Sequence, residues 1–216
     1  MSVDFSGYRT GGFKAVILDY GRVLSREPST RQIARMTRGL HATTKDLERA
    51  YDRWRPPYDR GALSARVYWA KVARECGRSL TPPLTQLRRR TDLGMWGDVR
   101  PGMERWLRGL HRTGYRTALL SNMPGDMIRY VRRNSPWLAA IDEQVLSAEV
   151  RRIKPGRAIF RVCLDRLGVR APECLFVDDT EANLSTARAL GLVGVRFRSV
   201  AQLRSDLRSV GFRPVP

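Results

Sequence analysis

The sequence predicts an α/β protein: a doubly wound, mainly parallel sheet with a helical insertion after its first strand. Three observations carry that expectation. Ala15-Val16-Ile17-Leu18 is a short apolar run that stops at Asp19, the pattern of a strand buried on both faces. From Pro101 onward, strand-like and helix-like stretches alternate, as they do in βα units of a parallel sheet. Between these regions, from about Ser25 to Asp98, the apolar residues follow helical periodicity. Residues 1–24 and 99–216 are therefore expected to form an α/β core domain, and residues 25–98 a smaller helical domain.

Taken in order, residues 1–12 read as a polar lead-in to the first strand. Pro28 to Leu40 carries a helix-start signal in Ser29 and Thr30, with Ile33, Met36 and Leu40 at helical spacing. Thr44 to Trp54 places Leu47, Ala50, Tyr51 and Trp54 on one face, and Pro56-Pro57 is expected to stop it. Leu63 to Cys76 and Leu84 to Leu93 read as two more helices. In the core, helices are expected at Met103–His111, Asp126–Arg133, Ala158–Leu167, Glu181–Leu190 and Val200–Val210. The strands between them are Thr117–Leu120, Glu143–Ser147, Cys174–Val177 and one within Gly191–Phe197.

Composition bounds the function. The chain has 216 residues and an ordinary apolar fraction, 42%, which argues against disorder. No early run is long and apolar enough for a signal peptide or a membrane span. Cys76, Cys163 and Cys174 are widely spaced in apolar surroundings, which fits free thiols in a reducing compartment and a cytoplasmic protein. The formal net charge is +19, nearly all of it arginine. Such a field draws in phosphorylated substrates. The arginines are scattered, with brief clusters only at Arg88–Arg90, Arg132–Arg133 and Arg151–Arg152, which argues against a dedicated nucleic-acid binder.

Strand ends carry the chemistry. Asp19, Ser121-Asn122 and Asp178-Asp179 each follow a strand, and Lys154 is expected just after another. Parallel topology brings all four to one rim, where open α/β sheets bind ligands. A carboxylate there can attack phosphorus and split one displacement into two easier ones. A hydroxyl, a backbone N–H and a lysine would hold the other phosphoryl oxygens. Two carboxylates beside the nucleophile call for a hard cation, and Mg²⁺ answers that need.

These stretches resemble the motifs of the haloacid dehalogenase-like superfamily: LDYGRVL, LLSN, IKPG and FVDDTEANLSTARALG, in that order, over about residues 13 to 210. The resemblance is to its phosphatases with a D-x-G-x-V first motif and a helical C1 cap inserted between the first and second motifs. It implies that Asp19 is the nucleophile and a Mg²⁺ ligand, with the Gly21 carbonyl a second ligand. It further implies Asp179 as an acidic metal ligand, and Asp178 beside it, orienting a metal-bound water or Lys154. Ser121 and the Asn122 backbone would hold the phosphoryl group, Lys154 would pair with Asp19 and the phosphate, and Asn183 would fix bound water. The activity implied is Mg²⁺-dependent hydrolysis of small phosphomonoesters, sugar phosphates among them, by way of an aspartyl-phosphate.

The sequence departs from the phosphatase pattern at one place. Many relatives carry a second Asp two residues after the nucleophile, as general acid and base; here that position is Gly21. Two alternatives stay open: a 2-haloacid dehalogenase, which also lacks that Asp, and a weakly active or non-catalytic binding protein. Asp178-Asp179 and the small Gly21 argue against dehalogenation. In the helical region, Tyr58, Asp59 and Arg60 either face the site or form a turn with Tyr58 packed on the bundle. Trp69 and Trp96 are expected to be packing residues.

Overall fold

The structure, a computed structural model, describes residues 12–38, 40, 42–209 and 212. Residues 1–11 of the lead-in and Val210, the expected end of the last helix, lie outside the described residues. Among the described residues five strands make one sheet: β1 (Ala15–Leu18), β2 (Arg116–Ser121), β3 (Glu143–Leu146), β4 (Cys174–Asp178) and β5 (Val193–Arg196). All pairings are parallel, in the order β3-β2-β1-β4-β5. Strand order reverses between β1 and β4, so the chain leaves those two strands toward opposite faces and opens a crevice at their carboxyl ends. The register sets Leu18 opposite both Leu119 and Val177, which levels the ends of the central strands.

Between β1 and β2 the chain builds α1 (Thr30–Thr37), α2 (Thr44–Asp59), α3 (Ala65–Glu75), α4 (Pro82–Trp96) and α5 (Pro101–Arg112). The first four share their own apolar cluster, which includes Met36, Leu47, Tyr68, Trp69 and Val72. Ser29 caps α1 as its position suggests, with its side chain accepting from the Gln32 N–H. Two of these four helices are longer than expected. α2 runs through Pro56-Pro57 to Asp59. Each proline removes one backbone donor, but both sit in the last turn, where Asp52 and Arg53 are exposed and water can meet their carbonyls. The turn is then closed by the Arg60 and Ala62 N–H groups on Pro56 and Pro57 oxygens, at 3.1 and 2.9 Å. α4 starts at Pro82, a favoured first-turn residue, and continues to Trp96.

The entry and exit of this helical layer run side by side. Ser25 and Val99 form an antiparallel bridge, and the Arg100 N–H donates to Leu24 O at 2.8 Å. The core helices are α6 (Gly125–Asn134), the single turn α7 (Ser147–Val150), α8 (Arg157–Leu167), α9 (Glu181–Arg188) and α10 (Val200–Ser209). β1 shows how the layers form, because strand side chains alternate between faces. Val16 and Leu18 pack with α5, α6 and α10, whereas Ala15 and Ile17 pack with α8 and α9. The three cysteines are buried and free. No helix among the described residues is long and apolar enough to cross a membrane.

Candidate active site

Asp19 follows the last residue of β1 and stays in register, its N–H donating to Val177 O at 3.0 Å. The chain then turns tightly over Tyr20–Leu24. The Tyr20 N–H donates back to Asp19 Oδ1 at 2.7 Å, which fixes the carboxylate. Arg22 takes a left-handed conformation, φ 59°, unusual for a residue with a Cβ. Its guanidinium reaches Glu27 at 3.1 Å and Asp179 at 3.7 Å.

Lys154 lies between two carboxylates. Its Nζ is 2.9 Å from Asp19 Oδ1 and 2.7 Å from Asp178 Oδ2. All three are buried. Asp178, at the end of β4, also accepts from Asn183 Nδ2 at 3.0 and 3.1 Å and from the Thr180 N–H at 2.8 Å. Lys154 does not sit just past a strand, as expected. β3 ends at Leu146, and α7 with a loop intervenes. Asn122 solves the placement with both halves of its amide: Nδ2 donates to Lys154 O at 2.9 Å and Oδ1 accepts from Lys154 N at 2.8 Å. That side-chain clamp was not foreseen, since only the Asn122 backbone was given a task. Ser121, the last residue of β2, is buried at the same rim.

Charge dominates this rim. Burial pushes the Asp19 carboxyl up to about 6, with Lys154 pulling it down and Asp178 and Asp179 pushing it further up. For Lys154, burial disfavours the charge, yet Asp19 and Asp178 outweigh it and hold its pKa above the usual lysine value. Asp19, Asp178 and Asp179 can bring one oxygen each within 4.8 Å of one another. Three carboxylate oxygens gathered in this way are hard donors of the kind that suits Mg²⁺. Lys154 bridges two of the three carboxylates, and the half-exposed Arg22 approaches the third, Asp179, only to 3.7 Å.

A cavity of about 210 Å³ opens above Asp19, and its far wall comes from the helical layer through Arg55, Asp92 and Trp96. Tyr51, Arg55 and Asp59 recur every fourth residue along one face of α2, and Asp92 and Trp96 do the same on α4. Arg55 Nη2 lies 2.8 Å from Asp59 Oδ1, and Nη1 donates to the Tyr51 oxygen at 3.1 Å. Burial pushes the Asp59 carboxyl up to about 7, with Arg55 acting against it. Of the residues proposed from the PPYDRG stretch, Tyr58 and Asp59 end a helix rather than forming a turn, and Arg60 is exposed. Tyr58 is stacked on Tyr68 at 4.1 Å, as the packing alternative had it. Trp69 is buried in the helical cluster, but Trp96 lines the cavity. Arg55 and Asp92 escaped the sequence reading altogether. The signal was there in weak form, as charged residues on the inward stripe of amphipathic helices.

Five hydrogen bonds tie the layer down over the rim. The Tyr58 hydroxyl donates to Asp126 Oδ1 at 2.6 Å, and Arg89 Nε donates to Asp126 Oδ2 at 2.8 Å. The Tyr20 hydroxyl donates to Trp96 O at 2.7 Å, Ser147 Oγ to Asp59 O at 2.5 Å, and Arg151 Nη1 to Gly61 O at 2.7 Å. Gly61 has φ +75°, and a Cβ there would lie 3.0 Å from Ala148 O, so the close approach needs glycine.

Comparison with known proteins agrees with this architecture. The chain is 31% identical over 94 residues to (S)-2-haloacid dehalogenase 1 of Pseudomonas sp. (strain CBS-3), a match covering 44% of this chain and 41% of that protein. A predicted HAD-like family hydrolase from Porphyromonas gingivalis superposes with a TM-score of 0.73 at 22% identity, over 92% of this chain and 99% of that one. A HAD family enzyme from Bacteroides thetaiotaomicron, in complex with magnesium and inorganic phosphate, gives 0.73 at 21% identity, over 87% and 95%. These two likenesses concern the fold. The family model described as haloacid dehalogenase-like hydrolase matches residues 12–191, and the chain belongs to that family of hydrolases.

Proposed function

We propose that the protein is a Mg²⁺-dependent hydrolase of small phosphomonoesters, with Asp19 as the nucleophile. The observation that carries this reading is the Asp19–Lys154–Asp178 chain beside Asp179, at the crevice between β1 and β4. Lys154 and the Tyr20 N–H hold Asp19 Oδ1, which leaves Oδ2 for in-line attack on phosphorus. The bond to the leaving oxygen breaks, that oxygen taking a proton from solvent water since Gly21 offers none, and an aspartyl-phosphate forms on Asp19; a water then attacks phosphorus, gives its proton to solvent, and frees phosphate and the carboxylate. Ser121 and the Asn122 N–H hold phosphoryl oxygens, and Lys154, kept protonated by its two carboxylates, balances their charge. Asn183 steadies Asp178, which in turn steadies Lys154. Asp19, Asp178, Asp179 and the Gly21 carbonyl would hold Mg²⁺. The ion would supply charge neutralisation between nucleophile and phosphate. The helical layer acts as a C1-type cap that keeps water from the cavity. We read the +19 charge as a field that draws in small anions rather than nucleic acid.

A second reading has Asp19 attack carbon, and the local similarity to a haloacid dehalogenase favours it. Against it stands the carboxylate set, which suits a cation that dehalogenation does not use. Phosphate release from p-nitrophenyl phosphate, with Mg²⁺ and with EDTA, is measured beside chloride release from 2-chloropropionate. Metal-dependent phosphate release is expected. Chloride release indifferent to EDTA, without phosphate release, would overturn the proposal.

A further inference from the structure

The phosphatase reading leaves the cap wall of the cavity without a task, and its geometry is specific. Arg55 is anchored: Nε donates to Asp59 Oδ2 at 3.3 Å, Nη2 lies 2.8 Å from Asp59 Oδ1, and Nη1 reaches the Tyr51 oxygen at 3.1 Å. Tyr51 is a hub. Its hydroxyl donates to Asp92 Oδ1 at 2.7 Å and accepts from Trp96 Nε1 at 3.2 Å. Asp92 Oδ2 and Arg55 Nη1 then stand 4.0 Å apart, beyond hydrogen-bond distance. Both residues line the cavity that holds Asp19 and Ser121.

One oxygen placed about 2.8 Å from each atom spans that gap with an angle near 90°. It must donate to the carboxylate and accept from the guanidinium, which a hydroxyl does. A carboxylate would meet Arg55 but be repelled by Asp92, and a methylene would leave both groups unmet. Met123, Pro124 and Met127 line the same cavity and offer apolar contact for a short carbon chain. The cavity, about 210 Å³, is smaller than the roughly 300–1,000 Å³ of common ligand clefts, which favours a compact leaving group.

We propose that Asp92 and Arg55 together recognise a hydroxyl on the leaving group, so that the substrate is the phosphate ester of a small polyol. The proposal rests on the phosphatase reading for the placement of the phosphate at Asp19, and adds the identity of the other end.

The test uses the phosphate monoesters of glycerol, 1,2-propanediol, 1,3-propanediol and propanol as competitors of p-nitrophenyl phosphate hydrolysis. The inhibition constant should rise about 10–100-fold between the best hydroxylated ester and propyl phosphate. In Asp92→Asn the ratio should fall to within about threefold, because the Tyr51 hydroxyl holds the amide oxygen and the NH₂ that replaces Oδ2 cannot accept, while the shape is kept. Equal constants across the four esters, or a ratio that survives Asp92→Asn, would overturn the proposal. If Asp92→Asn does not fold, Arg55→Lys and the wild-type series decide the matter on the same ratio. If p-nitrophenyl phosphate is not hydrolysed, the phosphatase reading falls by itself. Calorimetric binding of the same four esters then still ranks them, and no preference for the hydroxylated ones sinks the polyol contact.

Discussion

The two walls of the cavity are built by different means. On the core side, Asp19 and Ser121 stand at the ends of adjacent parallel strands, with Asp178 at the next strand end buried behind them, so the sheet register places all three and backbone neighbours orient the two carboxylates. On the cap side, Arg55, Asp92 and Trp96 are placed by the rotation of two helices and held through Tyr51, by bonds between side chains. The charges differ as well. The core side sets three carboxylates against Lys154 and the more distant Arg22. The cap wall nearly balances itself, with Asp59 gripping Arg55 and burial raising the pKa of Asp92. A wall built on strand ends suits chemistry that must stay constant. One built on helix faces can change its specificity by changing a few side chains.

The largest effect should come from breaking the core wall at its centre. Asp19→Asn should abolish turnover and leave the fold standing. It removes a charge that burial, with Asp178 and Asp179, disfavours by more than Lys154 favours it, so its melting temperature should match or exceed that of the wild type. Retained turnover in a folded Asp19→Asn protein would remove Asp19 from the role of nucleophile.

Next in size is the group missing from the core wall. Gly21 has φ −63° and ψ 130°, values open to any residue, and a Cβ would meet the Trp96 ring at an ordinary 3.7 Å. Gly21→Asp should therefore fold and supply the absent acid. Turnover of propyl phosphate should rise by about 10²–10⁴-fold, while p-nitrophenyl phosphate, whose leaving group needs no proton, should change little. An equal effect on both esters would mean that protonation is not what Gly21 withholds.

Lys154→Met sharpens the contrast in charge. Its Nζ bridges two buried carboxylates, so the variant should lose about 3–5 kcal/mol in urea unfolding. Mg²⁺ should restore more stability to it than to the wild type, since the ion then screens carboxylates that have lost their lysine. A variant indifferent to Mg²⁺ would argue against a cation site there.

The same contrast explains what was legible in the sequence. The shared rim of Asp19, Ser121 and Asp178-Asp179 is legible because an apolar run ending in a polar residue marks a strand end, and parallel topology gathers strand ends. Lys154 was found through its place in IKPG, but for an incomplete reason: it lies on a loop held by the Asn122 side chain, a contact between residues 32 apart in the chain. Arg55 and Asp92 were not found, because a charge on an amphipathic helix reads as solvent-facing until the neighbouring helix is placed. Pro56-Pro57 hid the last turn of α2, and with it the i,i+4 pair of Arg55 and Asp59.

The smallest effect expected tests whether the cap wall acts by staying closed. Tyr58 does not line the cavity; its hydroxyl reaches across to Asp126 on the core at 2.6 Å. Tyr58→Phe keeps the ring stacked on Tyr68, and Asp126 keeps its bonds to Arg89 and to the Met127 N–H, so one charge-assisted bond is lost. That should cost about 1.5–3 kcal/mol in unfolding stability. If closure matters, the KM for p-nitrophenyl phosphate should rise several-fold, with kcat falling less, because the open form must first be drawn shut. An unchanged KM at reduced stability would make the Tyr58–Asp126 bond a packing contact, and leave the work of closure to Arg89 and the Tyr20–Trp96 bond.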